Sequence, residues 1–164
     1  MRHANLALAL LTSLSLGAAF PATAAAAADS HEHQHDAHGA APAKLQLNQG
    51  RKWATDAPLR QAMAAMRADL AGRLHAIHKG SLAKEDYAAL GKGIEAQVGT
   101  VVSQCKLEPK ADAMLHLVIA DLMGAAETMQ GKAAGQPAEA AHRAVMALNG
   151  YGKYFAHPGW VAIK

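Results

Sequence analysis

The sequence predicts an all-α protein, an up-down-up-down antiparallel four-helix bundle preceded by a disordered N-terminal region. The chain has 164 residues and is 51% hydrophobic but only 4% aromatic. It contains 41 alanines, and alanine is the best helix former and a poor strand former. Four segments of about 20 residues repeat apolar side chains every three or four positions, between proline and glycine signals. Helices of that length joined by short loops pack as antiparallel neighbours.

Residues 1–28 are expected to be a signal peptide that is removed on export. Arg2 gives a positive start, residues 6–16 are mostly apolar, and small residues suited to signal peptidase follow Pro21. The apolar stretch covers about eleven residues, whereas roughly 20 are needed to span a bilayer. The sequence therefore predicts a periplasmic protein without stable membrane insertion.

Residues 29–44 are expected to form a flexible, histidine-rich tail and linker. Four histidines fall within eight residues, beside Glu32 and Asp36, and too few side chains are apolar for the segment to bury. Because neutral imidazole is a good ligand for copper, zinc and nickel, we predict a metal-binding tract. The alternative is a solvated linker that takes up metal only as any histidine-rich peptide does. The predicted ligands are His31, His33, His35 and His38.

The bundle, with an extended lead-in, is assigned to residues 45–164. Leu45, Leu47 and Trp53 are the predicted apolar anchors of the lead-in, and Gly50 permits a turn within it.

The first helix is predicted over residues 58–79. Thr55 or Asp56 can cap its open amides, and Gly80 ends it. Its apolar side chains form one stripe, so they are predicted to face the core. They are Leu59, Met63, Met66, Leu70, Leu74 and Ile77.

The second helix is predicted over residues 82–105, with Ser81 as its cap. Glu85 and Asp86 would lie near the positive end of its dipole. Its predicted core positions are Tyr87, Leu90, Ile94, Val98, Val101 and Cys105.

The third and fourth helices are predicted over residues 109–131 and 137–156, each starting at a proline. Gly150 and Gly152 weaken the end of the fourth, and Trp160 is expected to fold back over one end of the core. The predicted core positions are Leu115, Val118, Ile119, Leu122, Ala126 and Met129 in the third helix, and Ala138, Ala141, Val145, Leu148 and Phe155 in the fourth.

A weaker second metal site is conceivable inside the bundle. At 1.5 Å per residue, His116 falls at nearly the depth of Met66, and Cys105 lies nearer Met63. Thiolate and thioether ligands favour cuprous copper, so Met63, Met66, Cys105 and His116 would form a soft site. The alternative is that the methionines fill gaps between alanines and Cys105 is a small buried hydrophobe. Haem is disfavoured, since no histidine faces the core opposite these methionines.

Several functional classes are disfavoured by composition and motif. A formal net charge of +3, without a basic patch, does not indicate nucleic-acid binding. The single cysteine excludes a disulfide framework and covalent c-type haem. The predicted core positions hold no carboxylate pair, and the sequence has no Gly-x-Ser-x-Gly and no phosphate-binding loop, so no enzyme is predicted.

Two stretches carry a family resemblance: residues 45–60, which read LQLNQGRKWATDAPLR, and residues 105–116, which read CKLEPKADAMLH. They resemble the DnrO-like family of small exported proteobacterial proteins. The resemblance implies an exported helical protein connected with denitrification or metal-handling genes, and it implies no catalytic residue. It singles out five positions for mutation, namely Trp53, Asp56, Cys105, Asp112 and His116.

The sequence thus predicts a periplasmic bundle that binds or buffers copper, zinc or nickel through its tract. The expected partners are the metal ion and another periplasmic protein. One alternative is a non-catalytic interaction or chaperone-like module. Another is a copper or haem redox protein that uses the bundle interior.

Overall fold

The computed structural model describes residues 44–164, and in this part of the chain four α-helices surround one apolar core. The helices are α1, Ala57–His78; α2, Lys84–Gln104; α3, Pro109–Met129; and α4, Pro137–Tyr154. Residues 44–164 contain two isolated β-bridges and no strand. The all-α prediction is therefore confirmed. The predicted signal peptide and disordered tail lie outside the described residues, apart from Lys44.

The four helices share one core because each packs against at least two others. α3 packs against α2 and α4, and α1 also packs against α2 and α4. Of these contacts, that between α1 and α4 is the least extensive. None of the four helices is both long and apolar enough to cross a membrane.

The helix ends follow the residues that signal them in the sequence. Asp56 is the N-cap of α1, and its carboxylate accepts a hydrogen bond from the Leu59 amide at 3.0 Å. Both α3 and α4 begin at the predicted prolines. Gly80 and Gly131, with φ of 59° and 72°, lie just beyond α1 and α3 in the left-handed conformation that glycine adopts readily.

The prediction that Ser81 caps α2 is wrong. The N-cap is Ala83, and its amide donates to the Asp86 carboxylate at 3.3 Å. The Ser81 amide instead donates to the Ala76 carbonyl at 3.0 Å. Ser81 therefore closes the end of α1, and α2 begins two residues later than predicted.

The predicted apolar stripes account for most of the core. Leu74, Cys105, Ile119 and Ala138 are only half-buried, although they pack against it. α3 and α4 also bury residues that were not among the predicted core positions. Most of them are alanines, so a wider face of each helix is in contact with the core than predicted. These are Ala111, Met114, Ala125, Ala140, Ala144, Ala147 and Tyr151.

The lead-in crosses the end of α4 and is fixed there by Trp53. Its amide donates to the Tyr154 carbonyl at 2.9 Å, and its carbonyl accepts from Ala156 at 2.8 Å. The Trp53 side chain is 5% exposed. Leu45 packs against the core, but the prediction that Leu47 anchors the lead-in is wrong, since 39% of its surface is exposed.

The C-terminal tail folds back on α4, as the sequence predicts. Trp160 lies on Gly152, where any Cβ would overlap the indole ring. Further along, Asn149 exchanges two hydrogen bonds with the backbone of Ile163, at 3.0 and 2.9 Å. Gly152 is thus the position that lets the tail approach the helix.

A close approach between α2 and α3 depends on Gly91. A Cβ at this position would lie 2.6 Å from the Ala126 carbonyl oxygen and 2.9 Å from Gln130 Cγ. Gly91→Ala is expected to lower the free energy of unfolding by about 1–2 kcal/mol, since the clash with backbone exceeds the gain in helix propensity. Urea denaturation followed by circular dichroism measures this change.

Gly99 provides the matched control for Gly91. It lies on the same helix, and a Cβ there meets nothing within 4 Å. Gly99→Ala is expected to raise stability by about 0.5–1 kcal/mol. Equal effects of the two substitutions would show that α2 and α3 are not in close contact at Gly91.

Candidate functional site

The predicted histidine tract, His31, His33, His35 and His38, lies outside the described residues. Its metal binding stays a prediction. The remaining candidates lie within residues 44–164, where their contacts can be compared.

Asp56 joins two separate parts of the chain at one end of α1. One carboxylate oxygen accepts from the Leu59 amide at 3.0 Å and contacts the Cys105 thiol at 3.5 Å. The other accepts from the Lys106 amide at 2.7 Å. The side chain therefore caps α1 and also ties down the loop that connects α2 to α3.

These contacts shift the pKa values of the Asp56 carboxyl and the Cys105 thiol. Burial raises the pKa of Asp56, but hydrogen bonds from Lys106, Leu59 and Cys105 outweigh it, so the pKa lies below its ordinary value. For Cys105, burial and then the negative charges of Asp56 and Asp112 raise the pKa to about 12. Cys105 is thus a protonated donor at neutral pH, and the thiol is a poor nucleophile in this environment.

A small cavity of about 190 Å³ lies beside this junction. Its wall includes Trp53, Asp56, Lys106, Leu107 and Ala111. The Asp56 carboxylate oxygens already accept hydrogen bonds from the protein, so this carboxylate serves the junction rather than a ligand in the cavity.

The weak second site is distributed between the interior and the surface. Met63 and Met66 are 0% and 1% exposed. Cys105 is half-buried and hydrogen-bonded to Asp56. The His116 side chain is 66% exposed, and its Nδ1 lies 2.9 Å from the Asp112 carbonyl and 3.4 Å from the Asp112 carboxylate. The methionines therefore have the environment of core residues, and His116 that of a surface residue.

The positions singled out by the family resemblance form a partly connected group. Trp53 and Asp56 line one cavity, and Cys105 contacts Asp56. Asp112 acts on the Cys105 thiol through its charge and pairs with His116. In residues 44–164, no three histidine, cysteine or carboxylate side chains are grouped as a metal site.

Sequence reasoning missed a pair of histidines that meet across two helices. The rings of His78, at the end of α1, and His142, in the second turn of α4, have centroids 4.9 Å apart and planes inclined by 9°. Each histidine lies off its apolar stripe, so neither stands out alone. Comparing their positions along the two helices would have placed both at one end of the bundle.

An aromatic cluster closes the C-terminal end of α4. The buried Tyr151 hydroxyl lies 3.0 Å from His157 Nδ1, and Trp160 packs edge-on against the Tyr151 ring. Burial raises the pKa of Tyr151 above its ordinary value. Burial, and then the positive charge of Arg60, lower the pKa of His157. Both groups are therefore held neutral around pH 7, and the cluster packs the tail rather than offering charge.

A groove of about 470 Å³ runs along the outside of α3 and α4. Small residues such as Gly124 and Ala147 form its floor, with Arg143 and Asp121 also in its lining. Met146 lies in the lining as well and is 72% exposed. The groove is larger than the cavity beside Asp56.

Comparison of the chain with models of protein families, with curated proteins and with solved structures gave no match in any of the three.

Proposed function

We propose that the chain is an exported periplasmic protein that binds or buffers copper, zinc or nickel through its N-terminal histidine tract. In this proposal residues 1–28 direct export, and the four helices run up-down-up-down as a stable support. The helical bundle then has no catalytic role.

The observation that carries the proposal is the density of imidazoles in the tract. His31, His33 and His35 alternate with polar residues, and His38 follows within the same eight positions. Several neutral imidazoles on a short chain can bind one late transition-metal ion, and neighbouring carboxylates add favourable charge.

Calorimetric titration of the mature protein with Cu(II), Ni(II) and Zn(II) tests the proposal. We expect micromolar or tighter binding of at least one ion, and at least a tenfold loss when the four tract histidines are replaced by alanine. A matched control carries Glu32→Gln and Asp36→Asn, which removes the charges but keeps the imidazoles. This doubly substituted variant is expected to retain most of the metal affinity of the unmodified chain.

Binding no tighter than millimolar for all three ions would contradict the proposal. So would unchanged affinity after removal of the four tract histidines. Mass spectrometry of the periplasmic protein tests the export step, because cleavage near residue 28 removes the N-terminal segment.

A second candidate function is a non-catalytic interaction module, and the groove between α3 and α4 favours it. Met146 is exposed there, and methionine is a common residue at adaptable binding surfaces. Deleting residues 29–43 separates the two functions in cells. An unchanged phenotype would favour the interaction module, and loss of metal tolerance would favour the tract.

A further inference from the structure

Two helices that are remote in sequence present one imidazole each to the same surface position. His78 is the last residue of α1, and His142 belongs to α4. Their rings are stacked, with centroids 4.9 Å apart and planes 9° from parallel. His78 is exposed and His142 half-buried, so the pair lies at the surface of the bundle.

We propose that His78 and His142 form a binding site for a divalent transition metal such as Ni(II), Zn(II) or Cu(II), bridging α1 and α4. The site shares no residue with the histidine tract. It would exist whether or not the tract binds metal, and it goes beyond the proposed function by placing a metal site on the folded bundle.

Chelation requires the two side chains to turn out of their stacked arrangement, because a bound ion lies in the plane of each imidazole that binds it. Metal–imidazole bonds of about 2.0–2.1 Å place two ligand nitrogens roughly 3–3.5 Å apart. The 4.9 Å between the ring centroids is short enough for this, but rings 9° from parallel must turn until one nitrogen of each points at the same ion. Rotation about the side-chain bonds achieves this for His78, because its exposed ring is not packed into the core.

The position on α1 also favours a cation. His78 ends the helix, where the helix dipole places partial negative charge. Among the described residues no third histidine, cysteine or carboxylate completes the group, so water would fill the other coordination positions. Such a site binds with modest affinity and exchanges its ion readily.

Metal binding at this position would strengthen the least extensive of the main helix contacts, that between α1 and α4. An ion that binds the folded chain more tightly than the unfolded chain raises the melting temperature in proportion to the logarithm of its concentration. The expected signature is therefore thermal stabilisation by metal that requires both histidines.

The test uses the full mature chain in which His31, His33, His35 and His38 are all alanine, so that the tract cannot bind the added ion. Thermal unfolding is followed by circular dichroism with and without Ni(II) or Zn(II). We expect the ion to raise the melting temperature by about 5 °C or more at a hundredfold excess over its dissociation constant. His78→Ala or His142→Ala is expected to abolish this rise.

Two further variants keep the result interpretable. His142→Phe retains a stacking ring but removes the ligand nitrogens, so it should also abolish the rise without loss of basal stability. His116→Ala removes an exposed histidine of α3 and should leave the rise intact.

No rise in melting temperature in the chain without tract histidines, or a rise that persists in His142→Phe, would overturn the proposal. Tract binding is measured separately on the unmodified chain, so failure of one proposal does not imply failure of the other.

Discussion

Met66→Ala is expected to lower the free energy of unfolding by about 2–5 kcal/mol, since the substitution removes buried side-chain atoms and leaves a cavity. Met66 is 1% exposed in the core shared by the four helices. Met66→Leu keeps similar volume and should cost less than about 1.5 kcal/mol. Urea denaturation of the three proteins, followed by circular dichroism, measures these differences.

The same series tests the soft metal site predicted from Met63, Met66, Cys105 and His116. If Met66 serves only as packing, leucine replaces it with little loss and without change in bound copper. A leucine variant that loses both copper and stability to the extent of the alanine variant would instead identify the thioether as a ligand. Met146→Ala is the control, because this methionine is 72% exposed and its loss should change stability by less than about 0.5 kcal/mol.

Asp56→Ala is expected to lower the free energy of unfolding by about 2–3 kcal/mol. The substitution removes the cap of α1 and leaves the Lys106 amide without its carboxylate acceptor. Asp56→Asn separates the two contributions, since asparagine is also a good N-cap but has only one acceptor oxygen. We expect the asparagine variant to recover part of the lost stability.

The contribution of Asp56 also depends on pH in a defined direction. Its folded-state pKa is lowered, so its stabilisation is present above the unfolded pKa and is lost as the pH falls through the folded pKa. The stability difference between the native chain and Asp56→Asn should therefore shrink below about pH 4. Unfolding curves at several pH values measure this difference.

Asp69 supplies the matched control for Asp56. It lies on α1, but its side chain is 62% exposed and its ion pair within the described residues is with Arg73, at 3.7 Å. Asp69→Ala should change stability by at most about 1 kcal/mol. If the two substitutions had equal effects, the role of Asp56 in joining α1 to the α2–α3 loop would be refuted.

The sequence predicts the helices well because their signals are local. Pro109 and Pro137 start helices, Gly80 and Gly131 lie just beyond helix ends, and the three-and-four spacing identifies most core positions. Ser81 misled the prediction of the start of α2, since its hydroxyl and amide can serve the preceding helix equally well. Such competition between two helix ends is decided by packing rather than by residue type.

The candidate sites were less predictable because they depend on contacts between distant segments. Nothing local in the sequence states that Asp56 meets Lys106 or that His78 meets His142. Cys105 was placed on a core stripe, but the helix ends one residue earlier and turns its thiol toward a carboxylate. The spacing of apolar residues predicts which side of a helix faces the core. The contacts of a functional side chain also depend on where the helix ends and on which segments pack beside it.

The pairing of Trp53 with the end of α4 has a consequence for the order of assembly. The Lys52 ammonium bonds to the Gly152 carbonyl across 100 residues, beside the Trp53 backbone bonds to Tyr154 and Ala156. Closing so long a loop costs entropy that only the completed contacts repay. A chain emerging from the ribosome or from a membrane pore therefore cannot complete these Trp53 and Lys52 contacts until its last helix arrives. In a Trp160→Phe variant, which leaves Trp53 as the single tryptophan, fluorescence would report when the final segment has docked.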